Sequence, residues 1–159
     1  MKKYVVFDLD NCLSNDEWRI QHINWHAKNL TERYDTYHSL APFDEPGNMK
    51  VLRSWLDHKY DLIILTARAA RYDVATQCWL RKYDIPAAMI CMRAADDFRP
   101  SEVVKREQLI SLRIDPSNIA AAFDDRQRTV DMYRALGIER AVRLWIHAAP
   151  YAPTRIRIR

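Results

Sequence analysis

The chain has 159 residues, a formal net charge of +4, 48% hydrophobic and 29% charged residues. That balance reads as one soluble globular domain over 1–159, long enough to bury a core without disulfides or a structural metal. No apolar run approaches the roughly 20 residues of a membrane span, and the opening MKKYVVFDLD has acids where a signal peptide needs an apolar stretch. Cys12, Cys78 and Cys91 form no CxxC pair, so a reducing, cytoplasmic setting is expected. Charge is uneven: from 126 to 159 eight Arg face one Asp and one Glu, which leaves 1–125 slightly acidic. The basic end suits an anionic partner such as a nucleotide or nucleic acid, or is ordinary solubilising surface.

Taken in order, YVVFDL (4–9) is β-branched and aromatic and reads as a first strand. Residues 15–46, rich in Trp, Tyr and His, read as a small, partly helical, cap-like insert. MKVLRSWLDH (49–58) sets Met49, Leu52 and Leu56, with Val51 and Trp55, at helical spacing. DLIILTAR (61–68) is a second strand and RYDVATQCWLRKYD (71–84) a second helix. PAAMICM (86–92) is a third strand, and SEVVKREQLISLR (101–113) a third helix with Ser101 at an N-cap-like position. NIAAAFDD (118–125) is a fourth strand, RTVDMYRALG (128–137) a fourth helix closed by Gly137 at C′, and AVRLWI (141–146) a fifth strand. The end, 147–159, reads as a basic tail. Its TRIRIR alternation suits a strand added to a sheet edge or an arm for an anion.

Strands alternating with helices predict an α/β fold: a doubly wound, mostly parallel five-stranded sheet covered on both faces. Such sheets carry their sites at the carboxyl ends of the strands, near the switch point. Asp8 and Asp10 end the first strand, Thr66, Ala67 and Arg68 the second; Arg93 follows the third, and Asp124 and Asp125 end the fourth. If strands one and four are neighbours, four carboxylates converge and repel unless a cation compensates them. Oxygen donors without His or Cys favour a hard ion, Mg²⁺ first. Lys105 and Thr66 add the donors an anion needs, and the set describes a phosphoryl-transfer site.

VVFDLDNCL, LIILTAR, Lys105 in SEVVKREQL and AAFDDRQ resemble, in order and spacing, the four motifs of the haloacid dehalogenase superfamily of phosphatases. More narrowly, CMRAADDFRPSEVVKREQL and FDDRQRTVDMYRALGIE resemble the 3′-phosphatase domain of phage polynucleotide kinases; no GxxxxGK kinase loop is present. The resemblance implies a Rossmann-like core and a Mg²⁺-dependent phosphomonoesterase. Asp8 would be the nucleophile, forming an aspartyl-phosphate. Asp10 would protonate the leaving alkoxide and then activate water, its backbone carbonyl reaching Mg²⁺. Thr66 and Lys105, with Ala67 between the strand-end residues, would hold the phosphoryl oxygens, and Asp124 and Asp125 the metal. Arg68 matches an Arg of the polynucleotide-phosphatase motif, Arg19 falls nine residues after Asp10 where that family has another, and Arg93 is a further candidate for substrate. The chain departs from the pattern at Asn11 and Cys12, usually Gly and Thr, and before the Lys, where two acids of the polynucleotide phosphatases become Ser101 and Glu102.

Within that class the substrate is expected to be a 3′-phosphate at a nucleic-acid end, with a nucleoside 5′-monophosphate as the alternative. A different class, a receiver-like phosphoacceptor domain, is disfavoured by the order of its acids, Thr and Lys. His22 and His26, at i, i+4, lack a third ligand and read as ordinary histidines. Trp18, Trp25 and Tyr34 are read either as packing or as a platform for a base.

Overall fold

The computed structural model describes residues 3–147; most of the 147–159 tail, including TRIRIR, lies outside the described residues. The chain begins with β1 (Tyr4–Phe7), a short β2 (Ser14–Asn15), α1 (Leu30–Ser39) and β3 (Glu45–Pro46). It continues through α2 (Met49–Asp57), β4 (Asp61–Ala69), α3 (Asp73–Lys82), β5 (Ala87–Arg93) and α4 (Ser101–Ser111), and closes with β6 (Ile119–Asp124), α5 (Gln127–Ala135) and β7 (Ala141–Arg143). Five parallel strands form one sheet in the order β5-β4-β1-β6-β7, while β2 and β3 pair antiparallel beside it.

Because β1 is flanked by β4 and β6, the chain runs out on one side of it and returns on the other. This makes β1 the switch point, where a doubly wound sheet opens a crevice at its carboxyl edge. Alternation sorts the strand residues between two cores. Val5, Phe7, Leu62, Ile64, Ala121 and Phe123 join Leu52 of α2 and Trp79 and Leu80 of α3 on one face. Val6, Ile63, Leu65 and Ala122 join Leu109 of α4 and Val130 and Tyr133 of α5 on the other. Both faces are covered, which is why strands such as DLIIL are apolar without interruption.

Several boundaries differ from the sequence reading. The first strand stops at Phe7, since the chain turns at once into a tight loop in which Leu9 O accepts the N–H groups of Cys12, Leu13 and Ser14. The last strand keeps only Ala141–Arg143, because Leu144 onward leaves the edge of β6 and bonds to Asp124 O and Asn11 O. Ser101 is the first residue of α4 and not its cap; Pro100 precedes it, with no side-chain capping bond. Gly137 does close the fourth helix, at φ 95, where a Cβ would be strained.

One core feature is anomalous. Tyr133 is fully buried, and its hydroxyl has no hydrogen-bond partner among the described residues. An unpaired buried hydroxyl costs on the order of 1–3 kcal/mol, so Tyr133→Phe is expected to leave stability unchanged or raise it. Urea unfolding reads the outcome; a loss above about 1 kcal/mol would mean the hydroxyl is paired.

Candidate active site

Asp8 follows β1 directly and keeps its register, its N–H donating to Phe123 O at 3.0 Å. Its carboxylate meets Lys105 of α4, whose Nζ lies 2.8 Å from Asp8 Oδ1 and 2.7 Å from Asp124 Oδ2. Asp125 completes the cluster: the carboxylates of Asp8, Asp124 and Asp125 are all buried, with oxygens within 4.8 Å of one another. Burial pushes the Asp8 carboxyl up, and Asp124 and Asp125 push it further, against the pull of Lys105. Burial and Asp124 likewise raise Asp125 to about 6. Burial opposes the Lys105 ammonium, but Asp124 and Asp8 outweigh it and hold it charged. Three buried acids against one lysine leave the cluster short of positive charge.

Asp10 faces the other way. Its carboxylate accepts from Arg68 Nε at 3.1 Å and Nη2 at 2.7 Å, and from Arg19 Nη2. Burial works against ionisation here too, but Arg68 and Arg19 overcome it and hold Asp10 far below the usual carboxylate range. Both arginines are fully buried. Arg19 also binds Asp44 through Nε and Nη2 (2.8 Å to Oδ1 and Oδ2 respectively) and Tyr37 O through Nη1 at 2.9 Å. Arg68 reaches Thr76 Oγ1 and Ser14 Oγ.

Thr66 is buried inside β4, three residues before its end, its hydroxyl accepting the Arg68 N–H at 3.2 Å. Ala67 O accepts from Arg93 Nε at 3.1 Å, and Arg93 also ties Asp97 O and Arg99 O. The residues read from the sequence therefore reach one edge of the sheet, but split into two groups: Asp8, Lys105, Asp124 and Asp125 on one side, and Asp10 with Arg19 and Arg68 on the other. Arg19 and Arg68 are already engaged on Asp10.

A cavity of about 310 Å³ opens over both groups. The insert supplies Tyr34, Tyr37 and His38; Arg71, Tyr72, Phe98 and Arg126 line its remaining walls. Burial pushes His38 down to about 3, so the imidazole is neutral. Of the aromatic candidates only Tyr34 lines the cavity. Trp18 is 40% exposed and bonds Asp44, and Trp25 is 43% exposed with Arg33 over its ring. His22 ends a 3-10 turn and His26 lies beyond it, both exposed, so they share no helix face.

Asp44 escaped the sequence reading. It is fully buried, binds Arg19, Trp18 and Ser14, and its carbonyl accepts from Trp79 Nε1 at 2.9 Å. It sits in APFDEP, where neither helical nor strand period marks a burial face. Only the surplus of buried arginine it answers reveals it.

The chain matches the polynucleotide kinase PNKP phosphatase domain family over residues 2–142. Among solved structures it is similar to a chain of the Pnkp1/Rnl/Hen1 RNA repair complex, at 24% identity and a TM-score of 0.70 over 91% of this chain and 42% of that one. It thus spans less than half the length of that neighbour. It is also similar to a haloacid dehalogenase-like hydrolase from Streptococcus pneumoniae, at 14% identity and a TM-score of 0.60 over 87% and 83% of the two chains. A putative β-phosphoglucomutase from Thermotoga maritima gives 16%, 0.60, 95% and 88%. At these identities the structural neighbours speak for the fold. Family and fold agree: the chain belongs to the polynucleotide kinase PNKP phosphatase domain family, and is a phosphoric monoester hydrolase built on the haloacid dehalogenase fold.

Proposed function

We propose that the protein is a Mg²⁺-dependent phosphomonoesterase that works through an aspartyl-phosphate on Asp8, with the 3′-phosphate of a nucleic-acid end as substrate. The observation that carries it is the charge arrangement at the carboxyl ends of β1 and β6. Asp8, Asp124 and Asp125 converge around Lys105, and Asp10, two residues after Asp8, is turned to a separate pair of arginines.

The donor set fits a hard cation: three buried carboxylates, oxygen only, with two carboxyls pushed up for want of positive charge. Asp8, Asp124 and Asp125 would hold it, together with the Asp10 carbonyl; the Asp10 carboxylate is not in the cluster. The cation supplies charge compensation for the phosphate and for Asp8. An Asp8 oxygen attacks phosphorus, the bond to the leaving oxygen breaks, and Asp10 gives that oxygen a proton. Asp10 then takes a proton from water, the water oxygen attacks phosphorus, and the Asp8–phosphate bond breaks to release inorganic phosphate. Lys105 and Thr66 hold phosphoryl oxygens. Arg68 and Arg19 keep Asp10 anionic in the free enzyme, the state that accepts a proton. The negative charge of an incoming phosphate beside Asp10, which lines the cavity, raises it toward the state that donates one.

Asp8→Asn is expected to lower turnover by more than about 10³-fold with the fold intact, and Asp10→Asn by about 10²–10⁴-fold. Phosphate release and circular dichroism read both; turnover in Asp8→Asn near wild type overturns the nucleophile.

The nucleic-acid end is supported by the family and by the Arg71 and Arg126 walls of the cavity. A free nucleoside 5′-monophosphate is the second reading, favoured by the cavity's small volume of about 310 Å³ and its Tyr34 and Tyr72 walls. Phosphate release from a 3′-phosphorylated oligonucleotide and from nucleoside 3′- and 5′-monophosphates, with Mg²⁺ and with EDTA, separates the two. The expected result is Mg²⁺-dependent release from the oligonucleotide, and release from mononucleotides alone selects the second reading.

The cluster also predicts a pH dependence. Asp125, raised to about 6 without a cation, binds its proton more tightly in the folded than in the unfolded chain. Its contribution therefore favours the fold at low pH and is lost as pH rises from about 4 to about 6. In EDTA, wild type is expected to lose on the order of 2–3 kcal/mol more than Asp125→Asn between pH 4 and 7, and Mg²⁺ to remove the difference. Urea unfolding at the two pH values checks it.

A further inference from the structure

Asn11, 1% exposed, stands in the left-handed region at φ 57, and every polar atom of its side chain is engaged. Oδ1 accepts the backbone N–H of Ile146 at 3.1 Å and of His147 at 3.0 Å. Nδ2 donates to His147 O at 3.0 Å and to Asp125 Oδ2 at 3.2 Å. The Ile146 N–H also reaches Asn11 O at 3.0 Å. One side-chain amide thus takes the N–H and meets the C=O of a single residue, as a neighbouring strand would.

Other contacts fix the same segment. His147 Nε2 lies 2.7 Å from Asp16 Oδ1; Asp16 also accepts the Tyr37 hydroxyl, and the Tyr37 ring lies under the Arg19 guanidinium, 4.0 Å from its centroid. Ile146 sits on Gly47, where a Cβ would come within 2.4 Å of Ile146 Cδ1 and 2.6 Å of Cγ1. Residues 146–147 lie past the end of the family match at 142.

We infer that residues 146–147 form a strap, fastened by Asn11, that sets the orientation of Asp125 in the cation cluster. Asn11 is then a positioning residue that acts through Asp125. A ligating carboxylate whose free oxygen is pinned by a neutral amide is ordered without losing charge, and outer partners of this kind change metal affinity by about 10–100-fold. Coupling runs both ways: if the strap orders the site, a bound cation must steady the strap. The inference rests on the cation reading above.

The test uses the full chain with Mn²⁺ as probe, titrated by calorimetry into wild type and Asn11→Gly, which keeps the backbone angle and removes the amide. Mn²⁺ binding is expected to weaken about tenfold. Hydrogen exchange at the Ile146 and His147 amides is expected to slow when Mn²⁺ is added to wild type, and to stay fast in the variant. Gly47→Val, which displaces Ile146 and leaves Asn11 in place, is expected to weaken Mn²⁺ binding to a similar degree. Equal Mn²⁺ affinity in wild type and Asn11→Gly overturns the inference. Exchange indifferent to Mn²⁺, or undiminished affinity in Gly47→Val, overturns the strap. A wild-type chain that binds no Mn²⁺ overturns the cation reading itself, which the binding measurement separates from a failure of the strap alone.

Discussion

The site is organised by one buried cation. Lys105 is 1% exposed and bridges Asp8 at the end of β1 to Asp124 at the end of β6. Neither carboxylate is tolerable there alone, and neither is the ammonium, since an unpaired buried charge costs several kcal/mol. The three groups therefore require β1 and β6 to be neighbours with their carboxyl ends aligned, which the parallel pairing of Phe7 with Phe123 achieves. They also require α4, packed on β4 and α5, to bring Lys105 to that edge. Once that is met, Asp125 can only add negative charge to a cluster that has already spent its lysine.

A second charge system fastens the insert to the sheet. Arg19 comes from the insert, Arg68 from β4 and Asp44 from the segment before β3, and all three are fully buried. They meet at Asp10 and Ser14. Burying two guanidinium groups is costly unless their donors are filled. Here Asp10, Asp44, Tyr37 O, Thr76 and Ser14 fill them. The insert is thus joined to the core by an ionic network as well as by apolar packing, and the same network fixes the charge on Asp10. The cavity wall of Tyr34, Tyr37 and His38 stands on it.

This explains which parts were legible in the sequence. The sheet was legible because burial on both faces forces unbroken apolar strands such as DLIIL and AAAF, and because helical spacing resumes between them. The acids were legible because they fall at the strand ends, where a parallel sheet concentrates its chemistry, and Lys105, on α4, through its motif and its spacing before AAFDD. Asp44 and His147 were not, because their partners lie 25 and 131 residues away in sequence and no local period marks them. Asn11 was visible only as a departure from a glycine, and its role depends on a segment that arrives from the far end of the chain. Arg19 was read from its spacing and Arg68 from its motif, yet their joint attachment to Asp10 depends on how the insert folds back, which neither encodes.

Two acids two positions apart would ordinarily resemble each other, and the fold makes them opposites. On a continued strand Asp8 and Asp10, at i and i+2, would share a face; because β1 stops at Phe7 and the chain turns at once into a tight loop, their carboxylates meet different partners. On one side, two further carboxylates compete for a single lysine, and Asp8 and Asp125 are driven up. On the other, two arginines converge on one carboxylate and drive it down. Under the proposed chemistry this separation assigns the roles. The acid that must bear a covalent phosphoryl group stands where positive charge is recruited with the metal. The acid that must move protons stands where positive charge is built in, and the negative charge of a bound phosphate would raise it toward its protonated state. The substrate thereby helps to set the protonation state that its own cleavage requires.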